Sequence, residues 1–443
     1  MKWFIIFLGL LLIVPQTIKL PAQEGDTLDW DIDSIFDEPR QEVTNAEAKT
    51  DIDTKPAETP ARKTEEPVTN MVKQRGFTFD ASYIFAAGVG PGWYEAPWDP
   101  DATGDYYFER IVKMRNSIGM DAQISDVFRA KSTIYYEIPN FSFQLGDFFF
   151  DYSLYDVVFM RGGKYNLTWG ISPNYRFTNL LVRIPDEKVY AHDSFIFKAD
   201  IPAGIGGFQL LALTRADLLN KAEIKKRDIG FGGKFNLALR RVDMDLGGFY
   251  QEGMALRSFL SLKTTIGSTE LYSEGLWAIN VDKPSDMSGA VNLGFFQDFF
   301  DNKTGKFTVN AEVFYNAEKN AIWYRPESTL RDAEVAPFAD GLNGALNLLY
   351  RFKGKGNFRF FIQTRYAPWH NSVQSAQLVP GFAFNPWPHM ELYLAVPMAL
   401  GSNEGYYYKY TIIRDDSKPT RPLPFSVSLM LTLRGSVKFG YYY

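Results

Sequence analysis

The 443-residue sequence contains no cysteine and only three histidines, His192, His370 and His389. The chain therefore forms no disulfide and offers no cysteine for lipid attachment. No two histidines stand at the spacing of a metal site, so we expect neither a metal nor another cofactor. Beyond residue 22 the sequence also lacks a run of about 18 apolar residues, which excludes a transmembrane helix there.

Sequence motifs of catalysis and of nucleic-acid binding are also missing. Serines are plentiful, but no Gly-x-Ser-x-Gly elbow is present. No glycine-rich phosphate loop follows a predicted strand, and no basic face for nucleic acid can be recognised. We therefore expect a protein that is not an enzyme and has no nucleic-acid partner.

The amino terminus has the features of a secretory signal peptide. Lys2 precedes an apolar stretch from Trp3 to Val14, and Leu20-Pro21-Ala22 is an acceptable cleavage site. We predict a signal peptide over residues 1–22. A retained membrane anchor is the alternative.

An acidic segment follows, from residue 23 to residue 74. Residues 23–72 hold fourteen acidic and five basic side chains in a chain whose net charge is −5, and residues 73–443 carry a net +2. Low hydrophobicity, high charge and several prolines predict disorder for this segment.

One part of the acidic segment, Asp29–Glu38, is more apolar than the rest. It contains Trp30, Ile32, Ile35 and Phe36. This part could dock on a periplasmic partner or partly plug a pore. The alternative is an inert part of the tether.

From residue 75 onward the composition indicates β-strands with two different faces. Aromatic residues make up 16% of the chain, with 37 Phe and 25 Tyr, yet the mean hydropathy is −0.21. Strands in which every other residue is polar combine these two properties, whereas helical membrane spans do not.

Period-2 alternation is visible in segment after segment. In "IGFGGKFNLAL", Phe231 and Phe235 share one face and Lys234 takes the other. In "NFRFFIQTRYA", Arg359 and Arg365 alternate with aromatic residues. Each segment is about ten residues long, the length of a tilted transmembrane strand.

The connections between these segments are alternately short and long. The long ones are Pro91–Arg115, Leu218–Arg227, Asn316–Asp340 and Arg414–Pro424. This asymmetry predicts an all-β fold, a transmembrane antiparallel up-and-down β-barrel of about 16–18 strands over residues 75–443. A soluble β-sandwich could alternate as well, with its charged residues on a wet outer face.

The carboxyl end resembles the terminal signal of bacterial outer-membrane barrels. Such chains typically end in an aromatic residue with another apolar or aromatic residue two positions earlier, and Tyr443 and Tyr441 match. Phe439 continues the same face, whereas Lys438 stands where that family usually has glycine. The resemblance implies recognition by the barrel assembly machinery and contact with outer-membrane lipid.

The segment "GKYNLTWG", Gly163–Gly170, resembles a short motif of porin-type channels at the outer end of a strand. It falls on the fifth predicted strand, 156–170. In general porins the loop after the fifth strand folds into the barrel and sets the pore width. The resemblance therefore implies a constriction formed by Ile171–Asp193, and an ordinary exposed loop is the alternative.

Charged residues in this loop and on the predicted inner wall are the candidate selectivity residues, since charges at a narrowing select ions. They are Arg176, Arg183, Asp186, Glu187, Lys188, Lys234, Arg359 and Arg365. Three functions stay open: a porin-like diffusion channel for small hydrophilic solutes in the outer membrane, a ligand-specific transporter, with hydrophobic molecules among its candidate ligands, and an adhesive or structural surface barrel. We expect the first.

Overall fold

The computed structural model describes the chain in segments between residues 75 and 442. They are 75–93, 106–138, 142–165, 167, 169–175, 177–178, 195–214, 229–252, 255–285, 287–317, 341–353, 357–370, 373–401 and 425–442. The expected signal peptide and the acidic segment 23–74, with Asp29–Glu38, lie outside them. Within these segments, no helix has the length and apolar character needed to cross a membrane.

The described segments form eighteen antiparallel strands, which confirms the predicted all-β class and strand number. They are β1 (Gly76–Trp93), β2 (Tyr106–Ser125), β3 (Phe128–Ile138), β4 (Ser142–Leu154), β5 (Val158–Lys164), β6 (Phe195–Ala203), β7 (Gly206–Thr214), β8 (Ile229–Ala238), β9 (Val242–Gln251), β10 (Leu256–Ile266), β11 (Thr269–Ile279), β12 (Met287–Asp301), β13 (Gly305–Asn316), β14 (Gly341–Phe352), β15 (Arg359–His370), β16 (Val373–Trp387), β17 (Met390–Ala395 and Met398–Gly401) and β18 (Phe425–Ser426 and Ser428–Tyr442).

The last two strands are each interrupted once. In β17 the break is at Val396 and Pro397, and Pro397 has no N–H to donate to a neighbouring strand. In β18 the break is at Val427, whose N–H still donates to the carbonyl of Pro91 on β1 at 2.9 Å. Both strands therefore continue on the same path after the break.

Each strand pairs with the next along the chain, and β18 pairs with β1 to close the sheet. Along this seam Phe77 lies opposite Tyr441 and Val89 lies opposite Leu429. Closure matters because lipid cannot hydrogen-bond to an unpaired strand edge. The fold is a closed transmembrane β-barrel of the outer-membrane type.

The two faces of the wall follow the alternation of the sequence. On β13, Val313 and Tyr315 are 51% and 48% exposed, whereas Glu312 and Phe314 are 2% and 0% exposed. The outward residues form the apolar band that faces lipid. The inward residues face the interior, where they are covered by other parts of the chain.

The connections differ between the two ends of the barrel. At the end that holds residues 76 and 442, they include the short turns 126–127, 155–157, 204–205 and 267–268. At the opposite end they include 94–105, 165–194, 317–340 and 402–424. This parity is typical of outer-membrane barrels, whose short turns are periplasmic.

The predicted long loop Pro91–Arg115 is wrong over most of its length. β1 continues to Trp93 and β2 begins at Tyr106, and these two residues are paired. The prediction failed because Arg110 interrupts the alternation of "YYFERIVKMR": it stands on the same face as Phe108 and Val112. A strand pair that extends beyond the apolar band keeps its backbone hydrogen bonds even where the alternation is interrupted.

Single cysteines test the register of the wall, because the natural chain has none. Cysteines that replace Lys234, Arg359 and Arg365 should react with water-soluble thiol reagents in intact membranes. Cysteines that replace Phe235 and Phe360 should react poorly until detergent dissolves the membrane, since Arg or Lys on the lipid face at the midplane would cost about 2–4 kcal/mol and fixes the register. The reverse labelling pattern would show that the register is shifted by one residue.

Candidate functional site: the inward segment of the barrel

The chain leaves the barrel wall immediately after β5. The predicted fifth strand, 156–170, is too long, because β5 ends at Lys164. Gly163 has a φ of 142°, and a Cβ there would overlap the carbonyl oxygen of Phe148 on β4. Only glycine fits this position near the end of β5. We call the following stretch, Tyr165–Thr178, the inward segment; all of it except residues 166, 168 and 176 is described.

The contacts of the inward segment place it inside the barrel. The indole Nε1 of Trp169 donates to the Oε1 of Gln209 on β7 at 2.8 Å. Arg365 on β15 donates to the carbonyl oxygen of Asn174 at 3.5 Å. Strands β7 and β15 lie on nearly opposite sides of a ring of eighteen strands. A segment that reaches inward side chains on both of them must cross the interior.

One side of the inward segment is apolar and packs on the wall. Phe314 of β13 stacks with Tyr175 at 4.7 Å between ring centres and contacts Phe177 at 4.9 Å. The ring centre of Trp169 lies 5.6 Å from that of Phe259 on β10. This packing resembles a protein core and holds the segment in one position.

Glu312 of β13 is the main polar anchor of the inward segment. Its carboxylate accepts hydrogen bonds from Ser172 Oγ at 2.8 Å and from the backbone N and side-chain Nδ2 of Asn174 at 3.1 and 3.0 Å. Two wall residues, Tyr272 and Asn292, also donate to it, at 2.8 and 3.2 Å. Five donors therefore converge on one buried carboxylate, which compensates for its removal from water.

Glu274 of β11 is a second anchor. It accepts from the backbone N of Ile171 at 2.6 Å and of Ser172 at 3.2 Å. The hydroxyls of Thr178 and Ser261 each donate to it at 2.9 Å. The backbone N–H groups of Ile171 and Ser172, which lie outside any strand, therefore donate to a carboxylate of the barrel wall.

Amide side chains extend the contact to β14. Asn174 Nδ2 donates to Asn310 Oδ1 at 2.6 Å, and Asn347 Nδ2 donates to Asn174 Oδ1 at 2.6 Å. All three side chains are buried. Asn174 therefore joins two neighbouring strands to the inward segment.

Gly170 is required where the inward segment passes closest to Glu274. Its φ is 93°, and a Cβ there would overlap the hydroxyl of Thr178. We predict that Gly170→Ala lowers stability by about 1–3 kcal/mol, the cost of a strained backbone position, and makes the single-channel current noisier. Thermal unfolding in detergent and bilayer recording measure the two effects.

Gly204→Ala is the matched control for Gly170→Ala. Gly204 also has a positive φ, 60°, but a Cβ there would meet nothing within 4 Å. It lies in the 204–205 turn, away from the inward segment. Equal effects of the two substitutions on the current would show that Gly170 has no special role in placing the segment.

The predicted selectivity residues fall into two groups. Arg176, Arg183, Asp186, Glu187 and Lys188 lie outside the described residues. The three wall residues are described. Lys234 and Arg359 form ion pairs within the wall, with 3.2 Å from Lys234 Nζ to Asp245 Oδ2 and 2.5 Å from Arg359 Nη2 to Glu391 Oε2. Arg365 contacts the inward segment, which places this wall residue next to that segment.

The anchoring residues Glu274, Glu312, Asn310 and Asn347 were not predicted. In the sequence they are ordinary polar residues on the inner face of alternating strands. Glu312 lies 140 residues from Ser172, its partner. A single sequence contains no signal that joins two positions so far apart.

No protein-family model matches this chain, and no curated protein is similar to it in sequence. Among solved structures, it is similar to the Pseudomonas aeruginosa proteins OccK11 (OpdR) and OpdO, each with a TM-score of 0.49 and with 9% and 8% identity, over 83% of this chain and 98% of each of those. Acinetobacter baumannii OccAB1 has a TM-score of 0.48 and 6% identity, over 82% and 97%. At such identities the similarity concerns the fold alone, and TM-scores below 0.5 do not bear on what passes through this barrel.

Proposed function

We propose that this chain forms an outer-membrane channel through which small hydrophilic solutes diffuse. The observation that carries the proposal is the inward segment, which crosses an eighteen-stranded barrel and is bound to the wall by Glu274 and Glu312. Barrels of 16–18 strands are wide enough to leave an aqueous channel. A segment fixed across such a barrel narrows it and sets which solutes pass.

The inward segment acts as a fixed constriction. Its apolar side chains fill the space against β10 and β13, and its backbone is bound by the carboxylates of Glu274 and Glu312. A constriction made this way keeps its diameter, because leaving the wall would expose buried donors and acceptors.

Single-channel recording in planar bilayers tests the proposal. The purified full-length protein should give discrete conductance steps in simple salt solutions. A barrel that conducts no ions but supports uptake of one ligand class would be a ligand-specific transporter. A barrel that does neither would be an adhesive or structural protein, and the proposal would be wrong.

Charge selectivity should depend on the loop Ile171–Asp193 more than on the nearly neutral barrel. We predict that replacing Asp186 and Glu187 with amides shifts the reversal potential toward anions. Removing the charges of Arg176, Arg183 and Lys188 should shift it toward cations. Both shifts should shrink at high salt, because the Debye length falls from about 10 Å at 0.1 M to about 3 Å at 1 M.

Lys303, an exposed residue of the turn between β12 and β13, supplies the control for these charge changes. Lys303→Gln should leave the reversal potential unchanged. If the loop variants behave like Lys303→Gln, the loop charges do not face the solute path. That result would support the alternative of an adhesive or structural surface barrel.

A further inference from the structure

A groove runs along the lipid-facing outer surface of β10 to β13. Its volume is about 390 Å³. The outward residues that line it include Leu260, Leu262, Ser273, Gly275, Trp277, Gly289, Val291 and Tyr315. All of them lie in described strands, so the shape of the groove rests on described residues alone.

Small residues form the floor of this β10–β13 groove. Gly289 has no side chain to fill the surface, and Ser273 has a short one. The ring of Trp277 covers Gly275, where a Cβ would lie 3.3 Å from its Cη2, and only approaches Gly289, where a Cβ would lie 4.0 Å from its Cδ1. Trp277 and Val291 are about half exposed and form the walls.

The length of the groove along the strands matches the thickness of one membrane leaflet. From Trp277 to Ser273 the groove spans four residues of β11, about 13 Å at about 3.3 Å per residue. The apolar band of an outer-membrane barrel is about 25 Å tall, so one leaflet covers about half of it. Trp277 and Tyr315 lie near the strand ends that lead into 280–286 and 317–340, at the interface height that aromatic rings prefer.

We propose that the β10–β13 groove holds a straight acyl chain of a lipid in the leaflet on the long-connection side. A second copy of the barrel is a convex body, so it would touch Trp277 and Val291 and leave the floor at Ser273 and Gly289 empty. An acyl chain is narrow enough to reach that floor. Its transfer from the surrounding lipid gains nothing from the hydrophobic effect, so the binding comes from dispersion contacts along the groove.

Native mass spectrometry of the full-length protein, released from nanodiscs of dipalmitoyl phospholipid, tests this proposal. Wild type should keep one lipid under collision energies that remove the others. Ser273→Phe fills the middle of the groove and should lower the retained fraction by about tenfold, as expected when a row of dispersion contacts is lost. Thr364→Phe, on the outer face of β15, is the matched control and should retain the lipid.

Val291→Ala is a second test variant, since it removes a wall of the groove without adding bulk. It should also lower lipid retention. Loss of the lipid in either groove variant, with retention in Thr364→Phe, supports the proposal. No retained lipid in wild type, or equal retention in all variants, overturns it. A dimer of the chain that Ser273→Phe abolishes would assign the groove to a second copy instead.

Discussion

Glu312→Ala should raise the single-channel conductance severalfold and make it unsteady. The carboxylate accepts five hydrogen bonds, three of them from Ser172 and Asn174 of the inward segment. Each buried donor left without a partner costs about 1–3 kcal/mol. The summed cost is comparable to the whole stability of a small domain, so the inward segment should leave the wall and the passage should widen.

Glu270→Ala is the matched control for Glu312→Ala. Glu270 is also an inward carboxylate, on β11, but it is paired with Lys263 at 2.8 Å near the short turn 267–268. Removing it should leave the conductance near the wild-type value. Glu312→Gln keeps the shape of the side chain but turns one acceptor into a donor, and its conductance should lie between those of Glu312→Ala and Glu270→Ala. A wild-type conductance in Glu312→Ala would contradict the assigned role of Glu312.

Deleting residues 441–443 should abolish assembly of the barrel. Tyr441 and Tyr442 pair with Phe77 and Gly76 at the end of the seam between β18 and β1. Tyr441 is 69% exposed on the outer face, where an aromatic ring anchors the strand at the membrane interface. The deletion also removes the end that resembles the outer-membrane assembly signal. Heat-modifiable migration on a gel distinguishes folded from unfolded barrel.

Tyr442→Ala separates the signal from the length of the strand. It keeps the aromatic residues Tyr441 and Tyr443 on which the resemblance rests, and it should therefore assemble. The double substitution of Tyr441 and Tyr443 by alanine keeps the length and should fail. Folded barrel from the deletion would show that the last three residues are dispensable for assembly.

The closed barrel could be predicted because most of the described strands are amphipathic with period 2. Local sequence alone therefore marks the strands, and the alternating segment "IGFGGKFNLAL", residues 229–239, contains the whole of β8, Ile229–Ala238. The prediction failed where alternation continues without a strand. Tyr165, Leu167 and Trp169 alternate like a strand, yet they are buried in the interior as part of the inward segment.

The anchors of the inward segment could not be predicted for a different reason. Glu312 and Asn310 have the spacing of any polar inner face. They anchor the inward segment only because folding brings their hydrogen-bond partners, which are distant in sequence, close to them. The glycines were a partial signal. Gly163 and Gly170 were noted as a motif, but a sequence does not show that both have positive φ.

Cross-linking between the inward segment and the opposite wall is the most direct test that this segment crosses the channel. The side chains of Asn174 and Asn347 are joined by a hydrogen bond of 2.6 Å. In a chain without natural cysteines, Asn174→Cys with Asn347→Cys should cross-link in the assembled barrel, by oxidation or with a short bis-thiol reagent. Asn174→Cys with Thr364→Cys, which places the second thiol on the outer face, should not. Failure of the first pair to cross-link, or equal cross-linking of both, would contradict a constriction built from the inward segment.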